Sequence, residues 1–176
     1  MAVAIEKFVF IDESAVQLNM QREYAWSEQG TRAHVHKNRR RGKSYSLIAD
    51  LSVHGVQAPF IVDEGVNVNA FLFYVEEVLL PTLRPGQIVV MDNCPAHDRA
   101  ELEDIFEEHD IQLWFLPTYS PDLSPIELAF NNIKDSLKDT SAQCRETLLP
   151  AVMQAINSIS LSHILAWFRL CGYCPH

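Results

Sequence analysis

Apolar residues along this chain come in short runs separated by polar stretches, and the length and period of each run select an element. Residues 6–13 are rich in Phe, Val and Ile and alternate little, which predicts a strand buried on both faces. Residues 14–42 are irregular and polar, with room for a short strand around Tyr24-Ala25-Trp26. Residues 44–51 and 57–62 read as two further strands, separated by the hairpin turn Val53-His54-Gly55-Val56. Asn67 or Asn69 can cap a helix whose apolar positions Phe71, Tyr74, Val75, Val78 and Leu79 follow a 3.6-residue period until Pro81 ends it. The turn Arg84-Pro85-Gly86 leads into a strand over 87–92. Pro95 then opens a helix over 96–109 with Leu102, Ile105 and Phe106 as its buried stripe. Residues 112–116 form another strand, and a proline-rich turn precedes a helix over 125–137. Helical segments near 143–157 and 161–170 close the chain.

Three antiparallel strands followed by alternating helices and strands imply an α/β domain, a mixed sheet covered by helices. In such sheets, sites gather at the carboxyl ends of parallel strands. Asp12 closes the run Phe8-Val9-Phe10-Ile11, and Asp92 closes Ile88-Val89-Val90-Met91, so both acids fall at such ends. A third acid, Glu127, follows the turn Tyr119-Ser120-Pro121-Asp122-Leu123-Ser124-Pro125-Ile126. Together they suggest an oxygen cage for divalent metal. Two unit charges 4 Å apart repel by on the order of 4 kcal/mol at an effective dielectric near 20. A cation normally absorbs that repulsion, and all-oxygen ligation with open positions suits Mg²⁺ or Mn²⁺, one ion or a pair.

Each acid also has a structural explanation. Asp12 could start a turn, with Glu13 the ligand instead, and Asp92-Asn93 could be turn chemistry. Ser124-Pro125-Ile126-Glu127 has the form of a helix capping box. Ile126, Phe130, Ile133 and Leu137 make the apolar stripe of that helix, and Glu127, Asn131 and Lys134 share a polar flank beside it.

At 176 residues with 48% hydrophobic and 21% charged positions, one domain with a real core is expected. No apolar stretch approaches the roughly 18 residues of a membrane span, and the first residues show neither a basic leader nor a cleavage site. A cytosolic protein without a membrane partner is the expectation. The net charge of −9 argues against a nonspecific nucleic-acid coat. However, Arg32, Lys37, Arg39, Arg40, Arg41 and Lys43 hold six of the 14 basic residues, with no acid between Glu28 and Asp50. That block is a candidate phosphate footprint. Cys171-Gly172-Tyr173-Cys174 has metal-knuckle spacing near His163 and His176, but no second pair matches it, so Cys94, Cys144, Cys171 and Cys174 read as reduced thiols.

The phrases Phe10-Ile11-Asp12-Glu13-Ser14, Val90-Met91-Asp92-Asn93-Cys94-Pro95-Ala96-His97 and Leu116-Pro117 through Ile126-Glu127 resemble the catalytic domain of DDE transposases of the mariner superfamily, in particular its bacterial insertion-sequence branch. The 34 residues between Asp92 and Glu127 match a gap common in that superfamily. The resemblance reaches about residue 140. It implies an RNase H-like mixed five-stranded sheet flanked by helices, with Asp12, Asp92 and Glu127 as the catalytic, metal-holding triad. Asn93 and His97, from the second motif, are implied to support the site; Asn131, on the flank of Glu127, is a further supporting candidate by helix position alone. Segment 14–43 sits where relatives carry a dimer-clamping loop, so the basic block serves DNA, a partner subunit or both.

The implied reaction is cleavage at an element's end by metal-activated water, then attack of the freed 3′-hydroxyl on target DNA, typically at TA. A homodimer acting on nucleoid DNA in a bacterial cytoplasm is the expected setting. The pattern departs from relatives in three ways. Residue 6 already begins the catalytic strand, so the usual helix-turn-helix region is expected on a separate or frameshift-fused partner. Ser124 stands where relatives mostly have Asn, and Phe130 where Trp is frequent. Two other functions compete: a truncated, non-catalytic DNA-binding or regulatory remnant, and a nuclease acting on RNA–DNA hybrids.

Overall fold

The computed structural model describes residues 4–22, 26–32, 42–63, 65–93, 99–118, 120–140, 142 and 144–174. Five strands form one sheet in the order β3-β2-β1-β4-β5. They are β1 (Phe8–Gln17), β2 (Ser44–Ser52), β3 (Gly55–Val62), β4 (Ile88–Met91) and β5 (Gln112–Phe115). β1 pairs antiparallel with β2 and parallel with β4, and β5 runs parallel to β4. The β2–β3 connection is the expected hairpin, with Ser52 opposite Gly55 and Gly55 at φ +133°. Register slips between Ile48 and Asp50, where β3 carries one extra residue and Ala58 takes φ +47°. Pro59 follows on this edge strand, where a missing N–H is tolerated.

The helices are α1 (Val68–Phe73), α2 (Arg99–Glu108), α3 (Pro125–Thr140), α4 (Arg145–Asn157) and α5 (Leu161–Leu170). Asn67, not Asn69, caps α1, its side chain accepting from the Ala70 N–H at 2.9 Å. Past α1 the backbone widens into a π turn over Tyr74–Leu79, where the Leu80 N–H reaches back to the Val75 carbonyl. Pro81 has no N–H and crowds the preceding turn, so an ordinary helical ladder cannot continue there.

Strand alternation sends the core to both faces. Phe8, Phe10, Ile88 and Val90 pack under α3, α4 and α5 with Ile126, Phe130, Ile133, Leu148, Val152 and Phe168. Val9, Ile11, Val89 and Met91 pack on the other face with Phe71, Tyr74, Leu79, Leu102 and Phe106. β1 runs four residues past the expected end. Ser14 to Gln17 pair only with β2, Ser14 and Val16 being buried while Ala15 and Gln17 are exposed. Short polar residues disguised that continuation. Of the strand expected near Trp26, Tyr24 and Ala25 lie outside the described residues, and Trp26 is fully exposed in no element. Pro95 likewise lies outside them, and α2 is described from Arg99. α3 runs to Thr140, where the Arg22 guanidinium grips Asp139 with two bonds of 2.6 and 2.7 Å. Among the described residues no single helix is long and apolar enough to cross a membrane.

Candidate active site

Strand register brings the first two acids together. Phe8 lies opposite Ile88, Val9 opposite Val89 and Phe10 opposite Val90. Continued by two residues, that step sets Asp12 level with Asp92, on strands about 4.8 Å apart. Asp12 shares the face of Phe8 and Phe10, the face that carries α3. Alternation turns Glu13, the competing ligand, to the other face. Asp12 is not the end of its strand, as the sequence suggested, because β1 continues along β2 to Gln17. It is where β1 outruns β4, which ends at Met91, so the sheet opens beside it.

The third acid is delivered by the proline turn. Pro121–Leu123 make a 3₁₀ turn, and the Ser124 N–H donates to the Pro121 carbonyl at 3.0 Å. In a reciprocal capping box that N–H would bond the Glu127 carboxylate. It is already engaged, which releases the carboxylate from a capping role. The Glu127 N–H instead bonds the Ser124 carbonyl at 3.3 Å. Buried Ser124, Pro125 and Ile126 anchor the start of α3, and Glu127 is half-buried one step around from Ile126. The turn is held from behind by Tyr173, whose hydroxyl donates to the Leu123 carbonyl at 2.9 Å. The Tyr173 ring packs 5.0 Å from that of Phe10 and 5.5 Å from that of Phe8.

Asp12, Asp92 and Glu127 line one cavity of about 390 Å³, with Asn93, Leu116, Pro117, Thr118, Ser120, Pro121 and Ser124. Burial raises the Asp12 carboxyl from 3.8 to about 7, opposed by the Glu13 N–H and reinforced by the charges of Glu127, Asp92 and Glu13. That N–H meets Asp12 Oδ1 at 2.7 Å. Among the described residues, no three His, Cys, Asp or Glu side chains stand close enough to ligate one ion as they are placed. The triad shares a cavity and an electrostatic field, and the side chains are open rather than closed on a point. Their chemistry fits a hard divalent cation: carboxylate oxygens of like charge around one cavity, with the Asp12 group desolvated, whose repulsion a cation would relieve.

Of the other residues picked out by sequence, Asn93 lines the cavity. Asn131 is exposed and Lys134 half-buried on α3, and neither lines it. His97, Lys37, Arg39, Arg40 and Arg41 lie outside the described residues. Arg32 and Lys43 are exposed, and the Lys43 ammonium sits 5.1 Å over the Tyr45 ring. Lys43 precedes Ser44, which pairs with Gln17, five residues along β1 from Asp12. That separation is about 17 Å, too far for Lys43 to share the cavity. Cys171 is buried and Cys174 exposed. Tyr173 between them was missed as a support. Its only sequence signal was an aromatic residue in a short tail behind an amphipathic helix.

Residues 7–149 match the family model of the DDE superfamily endonuclease. The chain belongs to this family. No curated protein matches it. Its RNase H-like fold is shared with crystal structures of the Mos1 mariner transposase. A pre-cleavage Mos1 transpososome superposes with a TM-score of 0.73 at 20% identity, over 95% of this chain and 53% of that one. A Mos1 paired-end complex with Mn gives 0.74 at 19%, over 95% and 53%. The isolated Mos1 catalytic domain gives 0.69 at 16%, over 95% and 78%. At such identities the likeness is one of fold. This DDE-family chain spans about half the length of the Mos1 chains in those complexes.

Proposed function

We propose that this DDE-family domain is the catalytic part of a transposase of the mariner superfamily, bacterial insertion-sequence branch, performing metal-dependent DNA cleavage and strand transfer. The observation that carries the reading is the single cavity lined by Asp12, Asp92 and Glu127, beyond the paired stretch of β1 and β4. In this reading those three carboxylates hold Mg²⁺ or Mn²⁺, as the pair of ions expected from sequence. The Mos1 paired-end complexes crystallised with Mg and with Mn support that choice. When bound, such metal activates the attacking oxygen and steadies the leaving oxygen. Asn93, at the cavity rim, orients the scissile phosphate with its amide. The proline turn and Tyr173 fix where Glu127 stands, and the apolar wall of Leu116 and Pro117 limits water at the reacting atoms.

The substrate in this reading is duplex DNA at an element's ends, with TA as target. Arg32, Lys37, Arg39, Arg40, Arg41, Lys43 and Lys134 neutralise backbone phosphates, so binding is salt-dependent. The Mos1 paired-end and strand-transfer complexes support a homodimer that holds two ends. Terminal-repeat reading belongs to a helix-turn-helix region, on a separate or frameshift-fused partner, and the setting is a bacterial nucleoid. The test is nicking of terminal-repeat DNA in Mg²⁺, with that partner supplied. Wild-type protein should cut at least about 100-fold faster than Asp92→Ala. Equal rates would overturn the reading, and salt-sensitive binding without metal-dependent cutting would mark a non-catalytic remnant.

A further inference from the structure

We propose that Arg99 is a phosphate-contacting residue at the carboxyl edge of the sheet, the edge that also carries the acidic cavity, with Phe115 as its platform and Glu103 as its competitor within the chain. This rests on the DNA-processing reading above.

The placement follows from the sheet. Phe115 pairs with Met91 at the carboxyl ends of β5 and β4. Asp92 comes directly after Met91, so the Cα atoms of Phe115 and Asp92 are roughly 6 Å apart. Leu116, Pro117 and Thr118, which follow Phe115, line the cavity. The Arg99 guanidinium lies 4.4 Å over the Phe115 ring. Phe115 packs with Met91, Leu102 and Phe106, so the guanidinium stands on the sheet face opposite Asp12, at the carboxyl edge where β4 and β5 end, with its side chain 60% exposed. Stacking fixes the plane of a guanidinium while its N–H edges stay directed outward, the geometry suited to a phosphate.

Helix stability does not account for a cation there. Arg99 is the first described residue of α2. Its Nε donates to Glu103 Oε1 at 2.8 Å. That pair has the basic residue on the N-terminal side, the weaker order for such a contact. The surroundings supply the alternative. Asp12, Glu13, Asp92 and Glu127 form one negative field, in a chain of net charge −9. A phosphodiester approaching those acids is repelled unless cations stand at the entrance, and a guanidinium has donors beyond those one carboxylate can engage.

The opposed roles of Arg99 and Glu103 give variants of opposite sign. Full-length protein is titrated against a fluorescein-labelled duplex of about 30 base pairs, without divalent metal, across a KCl series. Circular dichroism confirms that each variant is folded. Arg99→Ala should weaken binding about three- to tenfold and lower the slope of log affinity against log salt by about 1. Glu103→Gln should strengthen binding about two- to fivefold. Phe115→Leu should fall between wild type and Arg99→Ala. If wild type binds and cuts DNA while Arg99→Ala keeps its affinity and slope, this inference alone is overturned. A Glu103→Gln variant that binds no tighter overturns the competition between Glu103 and phosphate. Wild type that neither binds duplex DNA nor cuts it in Mg²⁺ overturns the DNA reading as well.

Discussion

Asp12 and Asp50 are close neighbours in the sheet, and burial pushes both carboxyls to about 7. The β1–β2 register sets Asp12 opposite Ala49 and Asp50 opposite Ile11, so the two carboxylates leave opposite faces. Asp50, 2% exposed, is tied into the backbone, its Oδ1 accepting the Gln57 N–H at 3.0 Å beside the β3 bulge. It lines the larger cavity, about 470 Å³, where Glu6 and Asp50 are matched by Lys7 and Arg84. Asp12 lines the smaller cavity, and every charge that raises its carboxyl is another acid: Glu127, Asp92 and Glu13. Cavity size therefore does not locate the chemistry. The fold gives Asp50 hydrogen bonds from the Gln57 N–H and the Thr82 side chain. It sets Asp12 among charges of its own sign, an arrangement that a divalent cation would complete in the reading proposed above.

The largest expected effect falls on the Asp12 side. Asp92→Asn and Glu127→Gln should each lower metal-dependent DNA cleavage at least about 100-fold while thermal unfolding shifts little. Gln keeps the capacity to cap the helix, so intact cleavage in Glu127→Gln would return that residue to a structural role. Asp50→Asn should do the reverse, sparing cleavage and changing stability. Its folded carboxyl titrates near 7 against an ordinary 3.8, so the folded protein holds a proton that the unfolded chain lacks between those values. Stability therefore falls as pH rises through about 4 to 7, and the loss is complete above 7. Removing the charge should raise stability at pH 8 by on the order of 2–4 kcal/mol and flatten that window, as read by urea unfolding at several pH values. Abolished cleavage in folded Asp50→Asn would erase the contrast between the faces.

Smaller effects sharpen the contrast. Tyr173→Phe removes the bond to the Leu123 carbonyl and should cost about 1 kcal/mol, with a few-fold loss of cleavage because the turn before Glu127 loosens. On the Asp50 face, the Tyr74 hydroxyl is buried without a hydrogen-bond partner. Tyr74→Phe should therefore leave stability within about 0.5 kcal/mol of wild type or raise it slightly.

The sequence showed these two faces unequally. The runs before Asp12 and Asp92 marked two parallel strands because their residues are apolar without alternation, as both sheet faces are covered. The motif spacing then placed all three acids, and they line one cavity. The capping-box reading of Glu127 failed for a reason local sequence does not carry: the Ser124 N–H is taken by a carbonyl three residues earlier. Asp50 was unremarkable in sequence, because its role depends on a bulge in the partner strand that only pairing creates. Tyr173 and Arg99 escaped for the same kind of reason. Each acts on a residue far away in the chain, Leu123 and Phe115 respectively.

In the proposed reading, Asp12, Asp92 and Glu127 together bind divalent metal. A titration of Mn²⁺, with the free ion followed by electron paramagnetic resonance, tests it without reference to any DNA substrate. Asp12→Asn, Asp92→Asn and Glu127→Gln should each weaken binding about tenfold or more, while Asp50→Asn binds as wild type does. Wild-type affinity in Glu127→Gln, or binding lost in Asp50→Asn instead, would contradict it.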